Sequence, residues 1–347
     1  MLMERFRAVL PIGPRTPMLT LGEGATPLVR APRLGASIGA SDLWLKVEGA
    51  NPTGSFKDRG MVVAVAKALE SGARAVVCAS TGNTSASAAA YAAAAGIEAV
   101  VLLPAGKIAA GKLLQAFAAG AKVISIRGNF DDALEIVREL GAAGGGVEIV
   151  NSINPHRIAG QATAAHEIVA DLGGAPGVLA LPVGNAGNIS AYWRGFSDAL
   201  RIGSATHRPR MAGFQAAGAA PFVAGAPVAN PETVATAIRI GKPASWETAI
   251  AARDESGGLI DSVTDAEILR AQEEIIRLGG IFVEPACAAP IAGLRNLIAS
   301  GRVDGSARIV AVMTGFGLKD PDTASRLIGE IREADATLAG VRSALGW

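Results

Sequence analysis

Short β-branched apolar runs alternate with longer Ala-rich amphipathic stretches along most of the chain. LWLKVEG, from Leu43, reads as a strand, and Ser55 is placed to cap a helix running through MVVAVAKALES. AVVCAS then precedes TSASAAAYAAAAG, AVVLLP precedes KLLQAFAAG, and KVISIRG precedes DDALEIVRELG. The alternation continues with VEIVNS before HRIAGQATAAHEIVADLG and with GVLALPVG before ISAYWRGFSDALRIG. After the strand-like RMAGFQA, the Gly/Ala/Pro-rich residues 217–243 read as a long loop. Thr264 with Glu267 three positions on has the capping-box pattern of another helix start, and RIVAVMTG reads as the last strand. The final TLAGVRSALGW reads as a loosely attached tail. Strand-helix repetition of this kind requires crossover connections, and so an α/β fold with a mostly parallel, doubly wound sheet covered by helices on both faces.

Of the 347 residues, 50% are hydrophobic, ample material for a core in one unit or two lobes. Lys and Arg total 32 against 31 Asp and Glu, a net charge of +1 that supplies no field for a phosphate backbone; nucleic acid is not expected as a partner. The two cysteines, Cys78 and Cys287, lie far apart without a CxxC pair or a Cys/His cluster, which argues against a disulfide framework and a metal site and fits a reducing cytoplasm. No run approaches the roughly 20 strongly apolar residues of a membrane span, and the N-terminus lacks an export signal pattern, so a soluble, unexported chain is expected.

Ligands of open parallel sheets bind at the carboxyl ends of strands, so the loops that follow strands hold the candidate chemistry. In Gly184, Asn185, Ala186, Gly187 and Asn188, the glycines permit a nest of backbone N–H groups ahead of a helix whose N-terminus carries about half a positive charge. This suits a phosphate but is neither a Walker loop nor a GxGxxG fingerprint, and an ordinary turn with an Asn cap is the competing account. Ser80, Thr81, Asn83 and Thr84 offer hydroxyls and an amide in the same setting, suited to a carboxylate or a ring oxygen, or simply to an N-cap. Lys57 is the most informative residue: with Ser55 as cap it falls in the first helical turn, where the macrodipole disfavours a cation. Burial and nearby positive dipoles would lower its amine from the usual ~10.4 and favour the free base that condenses with an aldehyde. A solvated Lys57, Asp58, Arg59 charge cluster is the alternative. Asn151, Ser152 and Arg157 also follow a strand, where Arg157 can clamp a second anion, unless Asn154 and Pro155 only form a turn beside a surface Arg. His166 and His207 have no spaced metal partners, and His156 reads as a turn residue.

With these loops assembled, the sequence resembles the threonine synthase family of fold-type II pyridoxal-phosphate enzymes. The resemblance runs from residue 21 to residue 321 through LGEGATPL, LWLKVEGANPTGSFKDRG, ASTGNTSASAAAY, PAGKIAAGKLLQ, VNSINPHRIAGQ, PVGNAGN, FVEPACAA and MTGFGLKDP. It implies two doubly wound α/β lobes, a smaller one at about 60–150 and a larger one made of about 1–59 plus 151–347. It implies pyridoxal 5'-phosphate as cofactor, with Lys57 as the covalent lysine and Asn83 at the phenolic oxygen. Gly184, Asn185, Ala186, Gly187 and Asn188 would hold the cofactor phosphate, and Thr314 would face the pyridine nitrogen. Ser80, Thr81, Thr84, Lys112, Asn151, Ser152 and Arg157 would bind substrate, the last five at its phosphate. The reaction implied is that of a carbon-oxygen lyase, O-phospho-L-homoserine and water giving L-threonine and phosphate. One departure is Phe316, where the family commonly carries His or Asn within TG(H/N)GLKD. Threonine or serine dehydratases and cysteine synthases share the lysine, but resemble GGGGL or GTGGT at the phosphate loop; a non-catalytic relative is the remaining alternative. A cytoplasmic homodimer is the assembly that the family suggests.

Overall fold

The computed structural model describes residues 1–105, 110–128 and 130–347, with side chains at all of these but 110–112 and 130–131. Ten strands form two sheets. β1 (Leu28–Arg30), β2 (Asp42–Val47), β7 (Val178–Pro182), β8 (Arg210–Ala216), β9 (Leu259–Val263) and β10 (Arg308–Met313) make a six-stranded sheet in the order β1-β2-β10-β7-β8-β9. β3 (Ala75–Ala79), β4 (Glu98–Pro104), β5 (Lys122–Ile126) and β6 (Val147–Ile149) make a four-stranded sheet in the order β5-β4-β3-β6. Every pairing is parallel except that of β1 with β2. β3 and β7 are buried at every position, which is why AVVCA and VLALP read as unbroken apolar runs: helices cover both faces.

The expected strand-helix order holds, with differences concentrated at edges and helix starts. The edge strands β1 and β9 escape the periodicity reading because LVR is short and partly exposed and LIDSV places Asp and Ser in mid-strand. Residues 217–243 are more ordered than a plain loop, containing a helical turn at Pro221–Ala224 and a 3-10 turn at Thr236–Ile238. The helix Lys57–Glu70 starts after Phe56, whose side chain makes no capping bond; Ser55 is not its N-cap, although Ser55 Oγ accepts a long hydrogen bond from the Lys57 N–H at 3.4 Å. The helix Asp265–Gly279 does open with the expected capping box between Thr264 and Glu267. The C-terminal helix Leu338–Leu345 buries none of its residues.

The larger sheet has core on both faces, one side built on Leu43, Leu45 and Phe214, the other on Leu179, Leu181 and Phe196. The helix Lys57–Glu70 packs its Met61, Val62 and Val65 against β3 and β4, together with Leu2, Met3, Phe6 and Leu10 from the chain start. The carboxyl ends of β2, β3, β7 and β10 thus lead into the loops around Lys57, Asn83, Asn188 and Thr314.

Candidate active site

Lys57 is held by a backbone seam between two loops. Phe56 N–H donates to the Thr314 carbonyl at 3.0 Å, Phe316 N–H donates to the Gly54 carbonyl at 2.9 Å, and Ser55 bridges to Gly315. The loop after β2 and the loop after β10 are therefore stitched together, as their neighbouring parallel strands allow. Gly54, at φ +86°, makes the turn that brings this seam round. Asp58, fully buried, accepts bonds from Thr53 N–H at 2.7 Å, Thr53 Oγ1 at 2.6 Å and Ser87 Oγ at 2.6 Å, tying the start of the Lys57 helix to the helix Asn83–Ala95. Next to it, Arg59 is enclosed with Glu48 at 2.7 Å and Glu167 at 2.6 Å, so both residues that follow Lys57 in sequence are structural anchors. The solvated charge cluster is ruled out by this burial.

The Lys57 amine lies 3.9 Å from the centroid of the Phe56 ring. Burial and then the Arg157 guanidinium bring it down to about 7, with Glu284 pulling in the opposite direction. At neutral pH a large fraction of Lys57 is therefore the free amine, the form that attacks an aldehyde.

Arg157 reaches this neighbourhood because two helices touch at glycine. A Cβ on Gly60 would lie 2.6 Å from the Arg157 carbonyl oxygen, and one on Gly160 would lie 2.0 Å from that of Arg59. Backbone packs on backbone between Lys57–Glu70 and Pro155–Leu172. The Arg157 guanidinium is fully buried; Nη1 donates to the Val150 carbonyl at 3.0 Å, while Nε and Nη2 have no partner among the described residues. Two unspent donors on a buried cation are costly unless an anion meets them.

Gly184 to Asn188 follow β7, and the helix Gly187–Arg201 opens at Ala186, a non-glycine residue at φ +65°. A left-handed residue at this position, in place of an Asn cap, is the kind of conformation from which a nest of backbone N–H groups is built. Gly184 leaves little room for a side chain against Ile238, at 3.0 Å, and Gly187 little against Ile158, at 3.2 Å. Asn185 is spent structurally, its Oδ1 accepting from Ala244 N–H at 3.1 Å, whereas Asn188 Nδ2 is buried without a partner among the described residues.

The remaining candidates divide. Ser80, Thr81 and Asn83 are half-buried and Thr84 is buried at the start of the helix Asn83–Ala95, whose N-cap is Gly82. Thr314 is buried, its Oγ1 3.4 Å from Cys287 Sγ. Asn151 is engaged in a two-point pairing with Ala79, accepting from its N–H and donating to its carbonyl, both at 3.0 Å, so it shapes the end of β3 and is not a free donor set. Ser152 is half-buried beside it, and the Lys112 side chain lies outside the described residues. Phe316 is 41% exposed and packs edge-on against Phe282 at 5.5 Å, an apolar contact in place of a polar group.

Two residues were missed by sequence reasoning. Glu284, buried, accepts from Asn83 Nδ2 at 3.1 and 3.2 Å; burial raises its carboxyl, against the opposing pull of Asn83, Lys319 and Lys57. Lys319 faces Glu284 and Asp58, and burial lowers its amine. Both stand inside the motifs FVEPACAA and MTGFGLKDP, but nothing in the local pattern shows that they fold toward Lys57.

The family model described as "Pyridoxal-phosphate dependent enzyme" matches residues 19–315. The chain is 55% identical to the threonine synthase of Mycobacterium leprae (strain TN), covering 98% of this chain and 94% of the relative. It is 50% identical to the threonine synthase of Methanocaldococcus jannaschii, covering 93% and 82%. Among solved structures it resembles a T.th. threonine deaminase, with a TM-score of 0.69 at 26% identity, covering 91% of this chain and 96% of that one.

Proposed function

Because the chain belongs to the pyridoxal-phosphate dependent enzyme family, we infer that it is a threonine synthase, converting O-phospho-L-homoserine and water to L-threonine and phosphate. The residues present fit the cofactor: a half-buried, neutral-leaning lysine, a helix start turned by a left-handed Ala186, and an unpartnered amide at Asn188. Lys57 is the covalent lysine, Gly184, Asn185, Ala186, Gly187 and Asn188 hold the phosphate, Asn83 meets the ring's phenolic oxygen, and Thr314 meets its nitrogen. Bound there, pyridoxal phosphate supplies an electron sink for carbanions at the substrate's Cα and Cβ.

The observation that carries the reading is the Arg157 guanidinium, buried beside Lys57 with Nε and Nη2 unspent. It supplies an anion site separate from the Gly184 to Asn188 loop, as a phosphorylated substrate requires. Arg157 holds the substrate phosphate as it leaves Cγ; on the family resemblance Ser152, Thr84 and Lys112 are further donors to it, and Ser80 and Thr81 offer hydroxyls to the substrate carboxylate. Lys57 Nζ, once free, moves protons between adjacent carbons, a task suited to an amine that titrates near neutrality. The Thr314 hydroxyl places a neutral partner, not a carboxylate, at the ring nitrogen.

The smaller lobe at about 60–150 and the larger lobe at about 1–59 plus 151–347 follow from this reading, supported by the two separate sheets. A cytoplasmic homodimer is likewise proposed on the family resemblance; no helix among the described residues is long and apolar enough to cross a membrane. The test is phosphate release and threonine formation from O-phospho-L-homoserine, combined with borohydride reduction and peptide mapping. The pyridoxyl group is expected on Lys57. Formation of 2-oxobutyrate without threonine would identify a dehydratase instead, and a label on another lysine would refute the site.

A further inference from the structure

Glu284 joins two parts of the site that belong to different sheets. Its backbone N–H donates to the Gly315 carbonyl at 3.2 Å, fixing it to the loop that carries Thr314. Its carboxylate lies so close along that loop that a Cβ on Gly315 would stand 2.3 Å from Oε1. On its other side the same carboxylate takes Asn83 Nδ2 at 3.1 and 3.2 Å, at the first turn of the helix that follows β3. The Lys57 and Lys319 amines and the Asp320 carboxylate are the other charged groups that face it. An Asn carboxamide is nearly symmetric in shape, with an acceptor on one arm and two N–H donors on the other. An ionised carboxylate only accepts, so in that form it holds the nitrogen arm and not the oxygen arm. A single N–H shared between the two Glu284 oxygens leaves the second N–H of Nδ2 for a ligand, and a flipped amide would set oxygen against oxygen.

We propose that Glu284 is a positioning residue that sets the orientation of the Asn83 carboxamide, so that a donor and not an acceptor meets the cofactor's phenolic oxygen. The proposal rests on the cofactor-site reading above.

The experiment is a pH titration of the visible absorbance of the bound cofactor in the holoenzyme and in the variants Glu284→Gln and Glu284→Asp, each also made with Asn83→Ala. Gln can pair with either arm of Asn83, and Asp keeps the charge while drawing the carboxylate back, so both single variants should move the titration midpoint. A shift of about 0.5–1 pH unit, a roughly three- to tenfold change in the proton equilibrium, is the size expected for losing one oriented hydrogen bond. In the Asn83→Ala background neither change at Glu284 should shift it further. A midpoint that Glu284→Gln moves but Glu284→Asp leaves in place, or a shift that persists without Asn83, would show the charge acting directly on Lys57 and overturn the proposal. So would wild-type titration in both single variants. Should removal of the carboxylate prevent folding, Glu284→Asp alone, with and without Asn83, carries the same test. Absence of cofactor from the parent enzyme would instead overturn the reading of the site itself.

Discussion

Replacing Arg157 tests whether the two anion sites have been assigned correctly. Arg157→Ala removes a fully buried guanidinium whose only bond among the described residues is Nη1 to the Val150 carbonyl, at 3.0 Å. Nε and Nη2 are left over for a ligand, so the loss should fall on binding more than on folding. A charged hydrogen-bond donor contributes about 1.5–3 kcal/mol to binding, which converts to a roughly 10- to 150-fold rise in KM for O-phospho-L-homoserine. Arg157→Lys keeps the charge but gives up the planar fork and should fall between wild type and Arg157→Ala. Cofactor content, read from the absorbance of the purified protein, should not change in either variant. A second readout comes from Lys57, which Arg157 helps to hold at about 7. Without that neighbouring cation the protonated amine is favoured, so the pH at which apoprotein takes up pyridoxal phosphate half-maximally fast should rise in Arg157→Ala and stay nearer wild type in Arg157→Lys. Loss of cofactor with an unchanged KM would mean that the two phosphate sites were interchanged.

Three further predictions concern other parts of the molecule. Thr314→Asp should retain pyridoxal phosphate but lose threonine formation disproportionately, diverting substrate to 2-oxobutyrate, because a carboxylate at the ring nitrogen favours its protonation; an unchanged rate and product ratio would show that Thr314 does not tune the ring. Gly160→Ala would set a Cβ 2.0 Å from the Arg59 carbonyl oxygen, forcing apart the helices that carry Lys57 and Arg157; a loss of at least about 1–3 kcal/mol in denaturant unfolding is expected. Gly174→Ala, with nothing within 4 Å, should change stability by less than about 0.5 kcal/mol and serves as the control. Burial alone would raise the Glu167 carboxyl, but the Arg59 hydrogen bond and charge, with Lys46, outweigh it and hold it near 2. Its folded-state pKa is depressed, so its stabilising contribution is complete above the ordinary carboxylate range and is lost as pH falls from about 4.5 toward 2. Arg59→Met, which takes the guanidinium away from Glu48 and Glu167, should lower stability at neutral pH and flatten this loss, so that denaturant unfolding shows a smaller fall in stability between about pH 4.5 and 2 than in wild type; an unchanged fall would refute the pairing.

Much of this protein is legible in one dimension. Fully buried parallel strands such as AVVCA and VLALP must be continuous apolar runs, and helices covering a sheet must be amphipathic or small, so the strand-helix alternation follows from the chain alone. The residues needed for an aldehyde, a phosphate nest and a second anion, Lys57, the loop ending at Asn188, and Arg157, also stand out, because each lies just after a strand and at a helix start. What no local pattern contains is which of those loops meet. Lys57 and Arg157 come together through two glycines distant in sequence, Gly60 and Gly160, whose missing side chains permit helix backbones to touch. Asn151 looks like a ligand donor until its amide is seen paired with Ala79, 72 residues away. Glu284 carries no local signal, since a carboxylate in the loop after a helix is ordinarily solvated; only the crossing of the chain that lays it along Gly315 and against Asn83 buries it beside Lys57. Periodicity records how each segment partitions between water and core, whereas the spending of individual donors and acceptors depends on neighbours distant in sequence, and those are set by tertiary packing.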